Sequence, residues 1–488
     1  MRKRPQKLVI SRFTIVLTWV LLPISSVRGV DLAIASTTAI DAVNGLRKNQ
    51  TILIEKGKIL SVGHTSEINI PRGIKTIDGQ DLYVIPGLWD AHVHFSYDEE
   101  IAPAMLPLFL ANGITYVRDT GGPINKVRYW KAVANGKRTE APEVFIAGPL
   151  LDGVPTIYTG ENPTRPLLAR TVATPEEGIE AVNTLEQNGV DLIKAYEMLT
   201  PETFTSILDR AAALQLPVTG HIPLAMDATL VSNLGLNSIE HLRNLEISCS
   251  SLRDLIIEER KTMLASGAER EGGILRQEAH QAHRLKAIDT LDWQRCKKIL
   301  DVHISNETYH NPTTALLEST YDSFLTSPKW TATFRELPIK VAKRWKNTVF
   351  IAVEEANPKE KKLIQQYKDY MAWARRVISY LGKQDMILAG TDTPIYFLTP
   401  GASLHKELEA LVRAGMSPLQ TLAAATNIPA RYFGLENSRG SLEPGMLADM
   451  VILKKNPLED IRNTRSIKAV VRLGTLHTNK KLYARLPR

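Results

Sequence analysis

Short alternating and apolar runs fill the two ends of the chain, and a longer-period pattern fills its middle. Near the start, residues 31–40, 50–55 and 58–62 carry apolar side chains at strand spacing, separated by the turn pairs Asn44-Gly45 and Lys56-Gly57. Near the end, residues 447–453 and 466–473 repeat that character, with Gly440, Gly445 and Gly474 as punctuation. Two β-rich ends around a different middle predict one small β-sandwich domain built from residues 30–85 and 440–488.

Residues 86–439 alternate instead. Apolar strand candidates at 113–118, 143–147, 192–196, 217–220, 238–241, 303–308 and 386–389 join one that ends at His92. Amphipathic stretches at 175–187, 201–214 and 403–414 lie between them. Eight strands in repeated β-α order predict an α/β fold of the (β/α)8 TIM-barrel type. An open doubly wound sheet is the rival, and the chain has no glycine-rich phosphate loop to support it. Residues 245–380 break the alternation with long charged helical stretches, 252–281, 292–300 and 358–381. These predict a helical insertion over the barrel mouth, with a merely solvated excursion as the plain alternative.

Composition changes the picture only at the N-terminus. The net charge is +8, but residues 1–29 hold six basic side chains and no acidic one. Without them 54 basic residues face 52 acidic ones, so the basic balance gives no support to a nucleic-acid partner. A basic start, the apolar stretch 13–24 and small residues after it have the layout of a secretory signal peptide over 1–29. That stretch is short and interrupted by Pro23, so no stable membrane span is expected after cleavage, and the mature chain is expected to be periplasmic or extracellular. Cys249 and Cys296 are the two cysteines; a single disulfide and two buried thiols are both open.

The candidate chemistry sits at strand ends. His92 and His94 are two apart in Val-Ile-Pro-Gly-Leu-Trp-Asp-Ala-His-Val-His, so on a strand they share one face and can hold one metal ion. Lys194, His221, His241 and Asp392 each close another apolar run, where a barrel places its chemistry. Tyr196 and Arg243 stand two residues beyond Lys194 and His241, and His310 stands where the seventh strand ends; all three are candidate substrate-binding residues. His64, His280, His283 and His405 read as ordinary surface or loop histidines, and Trp89 as packing beneath the site.

Taken together, these motifs resemble the amidohydrolase superfamily, within it the imidazolonepropionase-like and metal-dependent prolidase-like group. The resemblance spans most of 31–480 and includes Asp-Leu-Ile-Lys194, Gly-His221, Ser-Ile-Glu-His241, Ala-Gly-Thr-Asp392 and the closing segment 440–452. It implies two divalent cations, zinc first among them. His92, His94 and Asp392 would hold one, His221 and His241 the other, and a carboxylated Lys194 would bridge them. It also implies hydrolysis of an amide, cyclic amide or Xaa-Pro dipeptide by a metal-activated water, with Asp392 as the catalytic proton acceptor. A non-catalytic barrel serving as a binding or assembly module is the alternative from another class, and no ligand position is missing to favour it. The expected partners are a small molecule or dipeptide, with a homo-oligomer left open.

Overall fold

The computed structural model describes residues 29–482 apart from 163, 322–323, 357–359 and 479–480. The expected signal peptide therefore lies outside the described residues, except Gly29. No described helix is long and apolar enough to cross a membrane.

Both chain ends contribute to one eight-stranded mixed sheet. Its N-terminal members run from Leu32–Asp41 to Tyr83–Pro86, and Met450–Leu453, Ile467–Arg472 and Thr475–Thr478 complete it. The two parts meet where Val84 and Ile85 pair antiparallel with Ile452 and Val451. An isolated bridge between Lys58 and Leu447 draws the far side of the sheet back toward the C-terminal segment. Leu32, Ile34, Ile52, Val84, Met450 and Val471 pack together as its own apolar core. The strands are thus one connected sheet curled around that core.

The middle builds the parallel ring that its alternation predicts. Leu88–Val93, Ile114–Asp119 and Glu143–Ile146 pair in parallel. Ile193–Ala195, Val218–Gly220, Ser238–Glu240 and Tyr309–Asn311 do the same. The eighth segment closes the circle through hydrogen bonds rather than a long ladder: His310 N donates to Met386 O, and Ala91 N to Ala389 O. Helices Pro175–Gln187, Pro201–Ala213 and Ala402–Arg413 follow the expected boundaries within one residue.

The expected strand at 303–308 is a correction. His303 belongs to the helix Trp293–Ser305, and the strand is Tyr309–Asn311. Asp292 caps that helix by accepting from the backbone N–H of Gln294 and Arg295. Its buried face, Cys296, Ile299, Leu300 and His303, keeps helical spacing to the end, so the apolar run near 303 was one turn of helix.

Cys249 and Cys296 are joined. The bond ties the helix Leu245–Cys249 to Trp293–Ser305 and so closes the base of an excursion that carries helices Arg253–Ser266 and Gly272–Ile288. Closing a loop with a sequence separation of 47 is worth on the order of 4 kcal/mol in chain entropy.

Two buried histidines outside the site make the fold acid-sensitive. Burial pushes His303 down to about 4 and His405 down to about 3. His405 is bonded to Thr464 Oγ1 and Asn112 O, tying the helix Ala402–Arg413 to the C-terminal segment and to the end of the helix Ala102–Ala111. In the folded state both imidazoles stay neutral, whereas the unfolded chain protonates them below about 6.5. Their stabilisation is complete above that pH and is lost as pH falls toward the folded values, each costing about 2 kcal/mol at pH 5. Calorimetry at pH 7 and pH 5 should show a clearly lower Tm at pH 5; an unchanged Tm would contradict this account.

Candidate metal centre and its cavity

His92 closes the strand Leu88–Val93 and His94 follows it. Alternation sends Asp90, His92 and His94 to the barrel interior and Trp89 outward, where it stacks on Tyr116 and Phe433 as expected of a packing residue. Buried Asp90 accepts from the N–H and the hydroxyl of Thr391, which pulls the Asp392 segment against this strand. Gly390 permits the approach: a Cβ there would lie 2.7 Å from the backbone nitrogen of His92. His241 and Asp392 both adopt left-handed backbone angles (φ 60° and 67°), conformations costing about 1–3 kcal/mol that concentrate at functional sites.

The side chains converge. Asp392 Oδ1 lies 3.1 Å from His92 Nε2 and 3.1 Å from His94 Nε2, and those two nitrogens are 3.3 Å apart. His92, His241 and Asp392 each present a donor atom within 4.8 Å of the other two. The His221 ring stands 5.0 Å from that of His241. The tightest set is therefore His92, His94 and Asp392, the group expected to hold one ion, and His241 stands next to it. Lys194, in the middle of Ile193–Ala195, lines the same cavity.

Each imidazole is held by its other nitrogen. His92 Nδ1 is 2.6 Å from Glu240 Oε2, His221 Nδ1 is 2.6 Å from Glu197 Oε1, His94 Nδ1 is 3.0 Å from Gly121 O and His241 Nδ1 is 2.7 Å from Thr313 Oγ1. This leaves the Nε2 atoms directed inward, the arrangement that orients metal-ligating histidines. Burial pushes His221 down to about 3 and His241 well below the usual histidine range, so both stay neutral as ligation requires. Burial also disfavours the Asp392 carboxylate, but His92, His241 and His94 outweigh it and keep it ionised.

Two atoms of the centre have no partner suited to them. Asp392 Oδ1 is buried and makes no hydrogen bond despite its two neighbours at 3.1 Å. Lys194 Nζ is buried with no hydrogen-bond partner among the described residues, and burial pushes it down to about 8. Nitrogen and oxygen ligands at about 2.0–2.1 Å from a tetrahedral ion are about 3.3 Å from one another. The 3.1–3.3 Å separations here match that spacing, so the residues fit a divalent cation.

The family model described as the amidohydrolase family matches residues 83–476. The chain belongs to the amidohydrolase family. Within this amidohydrolase, 86 residues are 41% identical to ochratoxinase of Aspergillus niger, a match over 17% of each protein. A second match, 27% identical over 220 residues, covers 43% of this chain and 47% of dihydroorotase from Pelobacter propionicus. The chain thus aligns with less than half of the length of either curated relative. Among solved structures, a Xaa-Pro dipeptidase with methionine in its active site superposes with a TM-score of 0.63 at 19% identity, over 92% of this chain and 99% of that one. The A. niger ochratoxinase structure gives 0.64 at 18% identity, over 94% and 98%. At these identities the structures show a shared fold.

The amidohydrolase cavity has a volume of about 140 Å3. Tyr196 and Arg243 line it, beside Tyr158, Leu150, Leu168, Leu316 and Ile395. Arg243 makes no ion pair among the described residues and stands in the field of Arg276 and Arg284. His310 does not line it. Its Nε2 meets His303 Nδ1 at 2.9 Å, so it faces the surrounding helix layer, the opposite side of its strand from the cavity. The sequence reading missed Arg276, which lines the cavity, and misassigned His280, whose Nε2 is 2.8 Å from Glu197. His283 and His405 are also buried, and only His64 of that group is exposed. Glu197 and Glu240 went unnoticed too, although an acid directly before His241 and another three residues after Lys194 were visible signals.

Proposed function

We propose that this amidohydrolase is an exported, metal-dependent hydrolase of small amides that end in a carboxylate, with dipeptides of the Xaa-Pro kind as the first substrates to try. One observation carries the reading: inward-facing histidine nitrogens and an unpartnered buried carboxylate oxygen stand at ligand-to-ligand distances. His92, His94 and Asp392 would hold one divalent ion, zinc by their donor set, and His221 and His241 a second, with a carboxylated Lys194 as a shared anionic ligand. Such ions, when bound, supply Lewis acidity that polarises a carbonyl and makes water more acidic.

The protein's own groups do the rest. Ionised Asp392 is placed to take a proton from the attacking water and return it to the leaving nitrogen. The Tyr196 hydroxyl, which burial pushes well above the usual tyrosine range, stays protonated and can donate to the oxyanion. Arg243, without an ion pair among the described residues, offers its guanidinium for the substrate carboxylate, and the leucines and Ile395 take its apolar portion. The dipeptidase and ochratoxinase neighbours are consistent with such substrates. The Cys249–Cys296 bond supports export, because disulfides persist in oxidising compartments.

The test is to load purified protein with zinc and assay dipeptides and N-acyl amino acids beside their carboxamide counterparts. Free-carboxylate substrates should turn over, and Arg243→Met should raise their KM about 10-fold to 100-fold while leaving carboxamides unaffected. Equal turnover of acids and carboxamides would remove the carboxylate from the proposal; no hydrolysis of any C–N bond would remove the proposal.

A further inference from the structure

The barrel uses one device twice, with different bracing. Glu240, which holds His92, is braced inside the ring: Arg118 Nη2 donates to its Oε1 at 2.7 Å and Thr219 donates to the same oxygen. Glu197, which holds His221, is braced from outside. Arg276 donates to its Oε1 through Nε at 3.0 Å and Nη2 at 2.7 Å, and His280 meets its Oε2 at 2.8 Å. Both come from the helix Gly272–Ile288, which lies beyond the disulfide at the base of the excursion. Leu275 and Ala279 of that helix pack with Leu150, Leu168, Tyr196 and Leu224 over the cavity. Glu197 is fully buried, and apart from this helix its carboxylate meets His221 and an Asn244 amide at 3.3 Å.

We propose that the helix Gly272–Ile288 is a working part of the metal centre: Arg276 and His280 are positioning residues that orient His221 through Glu197, so cap docking and metal loading form one coupled equilibrium. The inference rests on the reading of the site as metal-binding. Undocking the helix would remove the charged partners of Glu197. Its carboxylate would then keep only His221 and the Asn244 amide as partners, and the contacts that fix its orientation toward His221 would be gone. The imidazole is then free to turn its Nε2 away from the centre. Conversely, a cation that fixes Nε2 keeps Nδ1 on Glu197 and Glu197 on the helix. By linkage the effect is reciprocal: whatever factor docking adds to metal affinity, metal adds to docking. The disulfide secures the base of the excursion, so undocking is confined to its outer part.

The test is hydrogen–deuterium exchange on the full chain, stripped by chelator and then reloaded with zinc. Amides of 272–288 should exchange at least about fivefold more slowly after loading, while those of the remote helix Pro175–Gln187 stay unchanged. In His280→Leu, and in the double variant Glu197→Gln, Arg276→Met, which removes both charges together, zinc affinity at the weaker position should fall about tenfold. The metal dependence of exchange at 272–288 should disappear with it. Arg276→Lys, which keeps the charge without the fork, should restore part of both. Zinc bound at full stoichiometry with unchanged exchange in the wild-type helix overturns this inference and leaves the metal reading standing. Failure to bind zinc at all overturns both.

Discussion

Asp392→Asn should lower kcat by about 10³-fold, within the range lost when a positioned proton acceptor is removed, while most of the bound metal is retained. The substitution isolates the proton role. Asparagine keeps an oxygen where Asp392 Oδ1 lies 3.1 Å from two imidazole nitrogens, so a ligand atom remains. It also tolerates the left-handed backbone of this position, which alanine would not do without strain. What it lacks is affinity for a proton. The measurement is kcat beside metal atoms per chain. Turnover close to wild type would reject Asp392 as the proton acceptor. Lost turnover together with lost metal would reduce its role to ligation.

How far the sequence revealed the site follows from where each signal lies. His92, His94, Lys194, His221, His241 and Asp392 were legible because a barrel strand end is marked locally, by an apolar run that stops at a polar residue. The β domain was legible for the same reason, since strand alternation and Gly turns are written in neighbouring residues. The bracing was harder. Arg276 and His280 look like any charged helix face, because their partner Glu197 lies about 80 residues away and only folding joins them. His405 was misread because it shares the buried part of its helix with two other polar residues, Ser403 and Glu407, so the apolar periodicity does not mark it as buried. His310 was expected just beyond a strand at 303–308, whereas it lies within the strand Tyr309–Asn311 and faces away from the cavity. In strands of three residues, register is set by the ring and not by the local pattern. The pairing of Cys249 with Cys296 likewise depended on the two helices that flank the excursion.

Lys194→Met should remove activity and stabilise the metal-free protein, and the two effects have one cause. Lys194 is almost wholly buried, its Nζ has no partner among the described residues, and burial lowers it from 10.5 to about 8. In the metal-free fold below pH 8 it is a buried ammonium that the unfolded chain would leave in water. That penalty is about 3 kcal/mol at pH 7, shrinks as pH rises through 8, and vanishes above about 10.5, where both states are neutral. Methionine fills the same space without the charge, so the metal-free variant should melt higher at pH 7 and equal the wild type near pH 10.5. Such a cost is tolerated where a residue serves function. A lysine already near neutrality exposes an amine lone pair to carbon dioxide, and carboxylation turns the misplaced cation into an anion facing the histidines. Zinc with bicarbonate should therefore raise the Tm of the wild type and much less that of the variant. Metal content should drop by one atom per chain, and turnover by at least about 10²-fold, the equivalent of roughly 3 kcal/mol of lost electrostatic stabilisation. A variant that kept both its metal and its turnover would leave Lys194 without a role at the centre. One that lost them and melted lower without metal would show that the lysine stabilises the empty fold.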